Sequence, residues 1–159
     1  MDSKKIMKYM LWILFVIYFI LLIKVILFKY PLSMITSMMN NPNATLAVRL
    51  QGSNFIPFKT IIYYILGNEG FRIAIANILG NIVAFIPLGF LLPIIFKKMR
   101  KLPKIILTSF SVSLLFEVIQ LLIAIGSFDI DDILLNVFGS LIGYIFSTLI
   151  YKNSSLMCS

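Results

Sequence analysis

Four long apolar runs, each long enough to cross a bilayer, dominate the pattern of the chain. A hydrocarbon core of roughly 30 Å requires about 20 helical residues. Lysines precede the first run as in a signal peptide, but the run is longer than an h-region and no cleavage site follows, so we expect it to be retained. The pattern predicts membrane-spanning helices at residues 9–28, 72–96, 104–125 and 132–151.

The segment between the first two spans, residues 29–71, follows a different pattern. Its first part is polar enough to be an outer loop, whereas its end, FIPFKTIIYYILG, is rich in aromatic residues and too short to cross. Aromatic side chains favour head-group depth, which indicates a re-entrant or interfacial segment. The predicted fold is therefore an all-α integral membrane protein: a four-helix transmembrane bundle with this segment between spans 1 and 2, in a single membrane domain over residues 1–159.

Composition supports the membrane assignment and narrows the chemistry. Of the 159 residues, 60% are apolar and 13% are charged, against about 45–50% and about 25% in soluble domains. The net charge is +8, and the basic residues lie between apolar runs, so membrane lipids rather than nucleic acid are the expected partners. The chain has no His and one Cys, Cys158, which excludes imidazole chemistry, a disulfide within the chain and a thiolate zinc cluster.

Charge asymmetry between the loops predicts the orientation. With the N-terminus inside, nine basic residues fall on the inner side, and the cluster KKMRK between spans 2 and 3 is typical of a topology determinant rather than of a lipid site. These residues are Lys4, Lys5, Lys8, Lys97, Lys98, Arg100, Lys101, Lys104 and Lys152. The outer side has Lys29, Arg49, Lys59 and Arg72, balanced by Glu69, Asp129, Asp131 and Asp132. The positive-inside rule then predicts a multi-pass protein of the cell membrane with both termini in the cytoplasm.

Polar residues within the last three spans fall on one face of each helix and at one depth. Spacings of three and four residues share a helix face, and a rise of 1.5 Å per residue places these side chains roughly 6–14 Å below the outer ends of the spans. They are Asn77, Asn81, Glu117, Gln120 and Asn136, with Ser113 and Asp132 on the same faces. If the faces converge, they form one polar pocket that opens outward.

The same residues have a simpler interpretation, because amides and hydroxyls often only hydrogen-bond helices together. That interpretation is preferred for Asn77, Ser113 and Asn136 taken singly, and Gln120 fits either one. Glu117 differs, because a charged carboxylate in hydrocarbon costs at least about 2.5–3.5 kcal/mol on insertion scales. We expect Glu117 to be functional, and to be paired, for example with Arg72, or protonated.

The run FDIDDILLN places three carboxylates at the start of the fourth span. Asp129 or Asp131 is suited to cap this helix, which accounts for one of them. Three together, with Asp132, indicate an outward acidic site that roofs the pocket and suits a divalent cation or a basic group. Without further spacing constraints the sequence assigns no metal site, and no cofactor is predicted.

Small residues and prolines make two predictions about packing. Gly139, Gly143 and Ser147 recur every four residues, a stripe that favours close approach of another helix. Pro87 and Pro93 interrupt the second span and predict a bend rather than a break.

Three stretches of the chain resemble the VanZ-like family of bacterial membrane proteins. They are NFIPF, NILGNIVAFIPLGFLLP and SLLFEVIQLLIAIGSFDIDDILLNVFGSLIGY, within about residues 54–144. The family pattern falls on Asn77, Asn81, Pro87, Gly89, Glu117, Gln120, Asp129, Asp132, Asn136 and Gly139. Many relatives carry Arg just before the acidic run, where this chain has Ser127.

The resemblance implies low-level resistance to teicoplanin and related lipid-anchored glycopeptides, through lower accumulation of the antibiotic at the cell surface. The ligand would be a lipid-tailed glycopeptide or a cell-wall precursor. The candidate ligand-binding residues are Asn77, Asn81, Glu117, Gln120, Asp129, Asp131, Asp132 and Asn136. The alternative is a membrane enzyme that modifies lipid or cell-wall precursor head groups with Glu117 as general acid or base. A small transporter is a third possibility, disfavoured because the sequence places almost no polar groups in the inner halves of the spans.

Overall fold

The computed structural model describes residues 3–27, 32–41, 45–67 and 70–153. Seven α-helices lie within these ranges: α1 Ser3–Leu27, α2 Leu32–Met39, α3 Leu46–Gln51, α4 Lys59–Ile65, α5 Phe71–Ile95, α6 Leu102–Leu122 and α7 Ile130–Asn153. Four of them, α1, α5, α6 and α7, are long and apolar enough to cross a membrane. The prediction of an all-α, multi-pass membrane protein is therefore confirmed.

Several sequence predictions involve positions outside this description. Phe28, at the end of the predicted first span, and the loop charges Lys29 and Glu69 lie outside the described residues, as does Cys158. The side chains of Lys4 and Lys152 are also outside it. In the structure, the charge difference between the two ends of the bundle is therefore assessed from the remaining charged residues.

The observed helix ends differ from the predicted spans by one to six residues, and the two ends that enclose the turn between α6 and α7 matter most for the site. α6 ends at Leu122, three residues before the predicted end, because Ala124 turns into the left-handed region with φ of 61°. α7 begins at Ile130, two residues before the predicted start, so that Asp131 and Asp132 lie in its first turn. Together these shifts define a short turn between α6 and α7.

The helix pair α5–α7 is packed through direct backbone contact. A Cβ atom on Gly143 would lie 1.9 Å from the carbonyl oxygen of Ile86, and one on Gly139 would lie 2.0 Å from that of Ile82. Gly89 on α5 meets α7 in the same way, at 1.9 Å from the carbonyl oxygen of Ser140. The small-residue stripe therefore forms a close helix interface, as predicted.

α5 runs unbroken from Phe71 to Ile95 although Pro87 and Pro93 lie inside it, so the prolines do not break the helix. Side chains of neighbouring helices donate to carbonyl groups just before Pro87. The Tyr18 hydroxyl donates to Ala84 O at 2.8 Å, and the Ser140 hydroxyl donates to Phe85 O at 3.3 Å. These carbonyls are next to that of Val83, the one that Pro87 leaves without its helical donor, and the contacts join α5 to α1 and α7 at this point.

An apolar cluster lies inside the bundle, and α1 lies at the periphery of the bundle. Buried side chains of α1, α5 and α6 form the core: Leu22, Ile26, Phe85, Leu88, Leu92, Ile105 and Phe116. Only 11% of the α1 span is buried, against 39% for the α5 and α7 spans. Most of the α1 surface is therefore left for lipid.

Three short helices occupy the segment between α1 and α5. The aromatic side chains of Phe55, Phe58 and Tyr63 in this segment are exposed, whereas Tyr64 is half-buried. A short parallel bridge joins the segment to the turn before α7: Asn54 N–H donates to Phe128 O at 2.8 Å, and Ile130 N–H donates to Asn54 O at 3.0 Å. The segment is thus fixed to the end of the bundle where α7 begins.

Candidate functional site

A cavity of about 100 Å³, which we call the polar cavity, lies where α5 and α7 begin and where α1 and α6 end. It is lined by Val25, Ile26, Ala76, Asn77, Gly80, Asn81, Glu117, Gln120 and Asp132. Five of the eight predicted ligand-binding residues are among them, contributed by three helices. The polar faces of α5, α6 and α7 therefore converge at one level of the bundle.

The two carboxylates of the polar cavity are held by groups at the start of α7 and on α5. Glu117 is buried, with 2% of its surface exposed, and its Oε2 accepts the backbone N–H of Asp129 at 2.8 Å. Asp132 Oδ1 accepts the side-chain amide of Asn81 at 2.6 Å. Both carboxylates lie beside the first turn of α7, where the helix dipole favours negative charge. Arg72, the cation suggested as a partner for Glu117, is exposed and does not line the cavity.

The amides of the polar cavity join its walls. Gln120 Nε2 donates to Ile26 O on α1 at 2.8 Å, which fastens the peripheral helix to α6. Asn77 is half-buried and donates to Ile73 O of its own helix at 3.0 Å. None of the described residues that line the cavity is basic. The cavity therefore presents carboxylates and amides, a combination suited to a cationic or hydroxyl-bearing group.

Asp131 does not line the polar cavity but binds the start of α4. Its carboxylate is completely buried and accepts three backbone N–H groups, from Phe58 at 2.5 Å, Thr60 at 2.7 Å and Ile61 at 3.1 Å. These are the N–H groups that the beginning of a helix leaves unpaired. Phe58 itself lies in the left-handed region with φ of 68° and provides no side-chain cap. Asp131 therefore supplies the cap that the α4 sequence lacks.

Asp129 connects the same segment to α7. Its Oδ1 accepts the N–H of Asp131 at 2.9 Å, which confirms the predicted cap of α7, and also the Asn54 amide at 2.9 Å. Its Oδ2 accepts the Thr60 hydroxyl at 2.7 Å, and Asn54 Nδ2 also donates to Thr60 Oγ1 at 3.0 Å. We call the hydrogen bonds among Asn54, Thr60, Asp129 and Asp131 the capping network.

The predicted outward acidic site is therefore divided. Asp132 faces the polar cavity, whereas Asp129 and Asp131 turn toward the segment from Asn54 to Ile61 and bind its N–H and hydroxyl donors. Within the described ranges, no group of three or more Asp, Glu, Cys or His side chains is arranged to hold a metal ion. The three acids do not face one site, because N–H and hydroxyl donors of the 54–61 segment bind Asp129 and Asp131, whereas Asp132 accepts the side-chain amide of Asn81 on α5.

Asn136 lies outside the cavity lining, between α6 and α7. Its Nδ2 donates to Ser113 Oγ at 2.8 Å, and its buried Oδ1 has no hydrogen-bond partner among the residues that the structure describes. The half of the bundle remote from the cavity also contains polar groups: Ser109 and Ser147 are buried there, and the Ser109 hydroxyl donates to Ile105 O at 2.8 Å. That half is therefore less apolar than the sequence analysis assumed.

Sequence reasoning missed several residues that build this end of the bundle. Arg49 of α3 donates to the carbonyl oxygens of Leu121 and Leu122, which lie at the end of α6. Asn54 and Thr60 belong to the capping network. The sequence signal for Thr60 was its position as a polar residue within an apolar segment. Val25 and Ile26 of α1, which line the cavity, are apolar residues in an apolar span and gave no such signal.

Comparison with known proteins gives one family and one curated relative. A family model described as VanZ/LLP1 matches residues 15–151, most of the chain and more than the 54–144 region of the resemblance. A protein described as Protein VanZ, from Enterococcus faecium, is 40% identical over 67 residues. This alignment covers 42% of the chain and 41% of that protein, so the chain spans less than half the length of the curated relative it matches. No solved structure matches the chain significantly.

Proposed function

The chain belongs to the VanZ/LLP1 family, and from this premise we propose that it confers low-level resistance to teicoplanin by lowering the amount of the antibiotic at the cell surface. The observation that carries this proposal is the polar cavity, where two carboxylates and three amides from three helices converge. Intramembrane carboxylates are costly and mark functional positions in membrane proteins. Packing alone would not require both Glu117 and Asp132 beside one cavity.

Orientation places the polar cavity on the outer side of the membrane in this proposal. The end of the bundle remote from the cavity has described basic residues at Lys5, Lys8, Lys97, Lys98, Arg100, Lys101 and Lys104. The cavity end has Lys24, Arg49, Lys59 and Arg72, together with four acids that include Glu117. The positive-inside rule then puts both termini in the cytoplasm and the cavity in the outer leaflet, where a lipid-tailed glycopeptide is found.

The size of the polar cavity limits what it holds. Sites that enclose drug-sized ligands measure about 300–1,000 Å³, whereas this one is about 100 Å³. It has room for a few water molecules or a small polar group and not for a whole glycopeptide. We therefore propose that it binds a small cationic or hydroxyl-bearing part of a molecule whose lipid tail lies in the bilayer beside α1 and α5.

The first test is drug susceptibility of a sensitive Gram-positive host that expresses the wild type, Glu117→Gln, or an empty vector, at matched membrane levels. We expect the wild type to protect against teicoplanin more than against vancomycin, and Glu117→Gln to lower that protection strongly. Ser111→Ala is the control, because Ser111 is exposed on the same helix and bonds only to Leu107 O of that helix. Fluorescent teicoplanin on intact cells reports the accumulation directly.

Two results would contradict this proposal. If well-inserted wild type gave no protection, the resistance role would be wrong, although the fold and family would stand. If Glu117→Gln protected as well as the wild type, the polar cavity would not be the functional site.

The second candidate function is a membrane enzyme that modifies lipid or cell-wall precursor head groups. The observation in its favour is that Glu117, with 2% exposure, lines a cavity beside a second carboxylate, an arrangement suited to general acid–base chemistry. An enzyme would lose all function with Glu117→Gln and only part with Asn77→Ala. A binding factor would lose function gradually across the cavity residues. Mass spectrometry of membrane lipids and cell-wall precursors from expressing cells would reveal a modified product.

A further inference from the structure

A second groove, of about 390 Å³, lies at the end of the bundle remote from the polar cavity. It is lined by Lys5, Lys8, Tyr9 and Trp12 of α1. Spacings of three, four and seven residues put these side chains on one face of the helix. Both lysines are exposed. The groove is therefore a surface feature of the helix that has the most lipid-facing area.

Charge at this groove is uncompensated within the described parts of the chain. Besides Lys5 and Lys8, residues 3–27 and 97–104 contain seven lysines and arginines but no Asp or Glu. Lys5 and Lys8, three residues apart on a helix, repel each other. An external anion would relieve this repulsion.

The floor of the groove is aromatic and fixed in position. Trp12 packs edge to face against Phe96 at 5.2 Å and against Phe15 at 6.2 Å between ring centroids. At 1.5 Å per residue, Trp12 lies about 10 Å further along α1 than Lys5, toward the middle of the span. The groove thus joins a cationic entrance to an apolar floor, in the direction in which a lipid extends from its phosphate to its acyl chains.

We propose that this groove binds an anionic phospholipid of the surrounding bilayer. The phosphate lies between the ammonium groups of Lys5 and Lys8, and an acyl chain lies against Tyr9 and Trp12. The attraction between one lysine and an anionic membrane surface raises the affinity of a protein for that surface about fivefold. This site is separate from the polar cavity and does not depend on the proposed resistance function.

Trp12 is the only tryptophan of the chain, which makes it a local probe. The experiment reconstitutes the full chain in bilayers that contain either brominated phosphatidylglycerol or brominated phosphatidylcholine as quencher at equal fraction, and measures tryptophan emission. We expect phosphatidylglycerol to occupy the site at least about fivefold more favourably in the wild type. The variant Lys5→Gln/Lys8→Gln should lose this preference.

The matched control is Lys101→Gln/Lys104→Gln, which removes the same charge at the same end of the bundle but outside the groove. It should keep the wild-type preference for phosphatidylglycerol. Equal quenching by the two lipids in the wild type would overturn the proposal. An equal loss in both double variants would also overturn it, because the attraction would then come from the general charge of this end and not from a site.

Discussion

The polar cavity and the capping network lie at the same end of the bundle and are both built from carboxylates, yet they are arranged differently. Asp131 is fully buried and binds three backbone N–H groups of α4, whereas its neighbour Asp132 is partly exposed and lines the cavity with Glu117. In the capping network, acids replace missing hydrogen bonds of the backbone. In the polar cavity, the carboxylates of Glu117 and Asp132 line an open volume. Adjacent acids in one sequence motif therefore serve separate purposes, which mutation can distinguish.

The largest effect is expected for Asp131→Ala. It leaves up to three backbone N–H groups without an acceptor, and each unsatisfied buried group costs about 1–3 kcal/mol, so we expect a loss of about 3 kcal/mol or more. For a chain of this size that lowers Tm by roughly 6–12 °C. Thermal unfolding in detergent measures the shift, with Asp131→Asn as a milder variant that keeps one acceptor. An unchanged Tm for Asp131→Ala would show that Asp131 does not hold α4 in place.

A smaller loss is expected for Thr60→Val, which removes the hydroxyl that donates to Asp129 Oδ2 at 2.7 Å. A hydrogen bond to a charged acceptor contributes about 1.5–3 kcal/mol, and we expect the lower part of that range because Thr60 is only partly buried. Thr60→Ser keeps the hydroxyl and should retain most of the stability. If the Ser and Val variants lost equal stability, the Thr60 methyl group and not its hydrogen bond would be responsible.

Asp132→Asn should change stability by less than about 1 kcal/mol, because the amide oxygen still accepts the Asn81 donor at nearly the same geometry. It should nevertheless reduce teicoplanin protection strongly, since it removes one of the two carboxylates of the cavity. The measurement pairs susceptibility with Tm for Asp132→Asn and Asp131→Asn. If both variants lost stability, and Asp132→Asn lost no more protection than Asp131→Asn, the polar cavity and the capping network would not be functionally distinct.

The smallest effect is expected for Asn77→Ala. The Asn77 side chain is half-buried and donates to its own helix, so its removal should cost less than about 0.5 kcal/mol. Because Asn77 is one of several groups around the cavity, the Asn77→Ala variant should lower protection by only about two- to fourfold, the effect of losing one weak hydrogen bond. Complete loss of protection in a stable Asn77→Ala variant would contradict both the enzyme and the binding factor, because each predicts only a partial loss at this position.

The sequence predicted the long helices and the depth of the polar residues because both follow from local rules. Apolar length specifies a membrane span, and a rise of 1.5 Å per residue converts spacing into depth. The same rules anticipated that Gly139 and Gly143 would allow close approach. The resemblance to the VanZ-like family, carried by three stretches within about residues 54–144, was confirmed by the family match.

Other features could not be predicted because they depend on contacts between residues far apart in the chain. The Asp131 side chain binds N–H groups about 70 residues earlier in the chain. Almost every residue type has a backbone N–H group, so the residue types in the sequence do not identify these donors. Arg49 is a comparable case: its partners are carbonyl oxygens at the end of α6. Hydrophobic periodicity gives the face of a helix but not the neighbour that this face meets.

The sequence by itself determined that the described part of the chain has four helices long and apolar enough to cross a membrane, with carboxylates and amides at one level, because length, hydropathy and helical period are properties of each segment alone. Only the tertiary structure decided which acids meet. It brought Glu117 and Asp132 to the polar cavity and gave Asp129 and Asp131 to the capping network. The physical reason is that backbone N–H groups near the start of α4 bind carboxylates that would otherwise be available to the cavity. The rotation of α7 about its axis determines which carboxylate faces α4 and which faces the cavity.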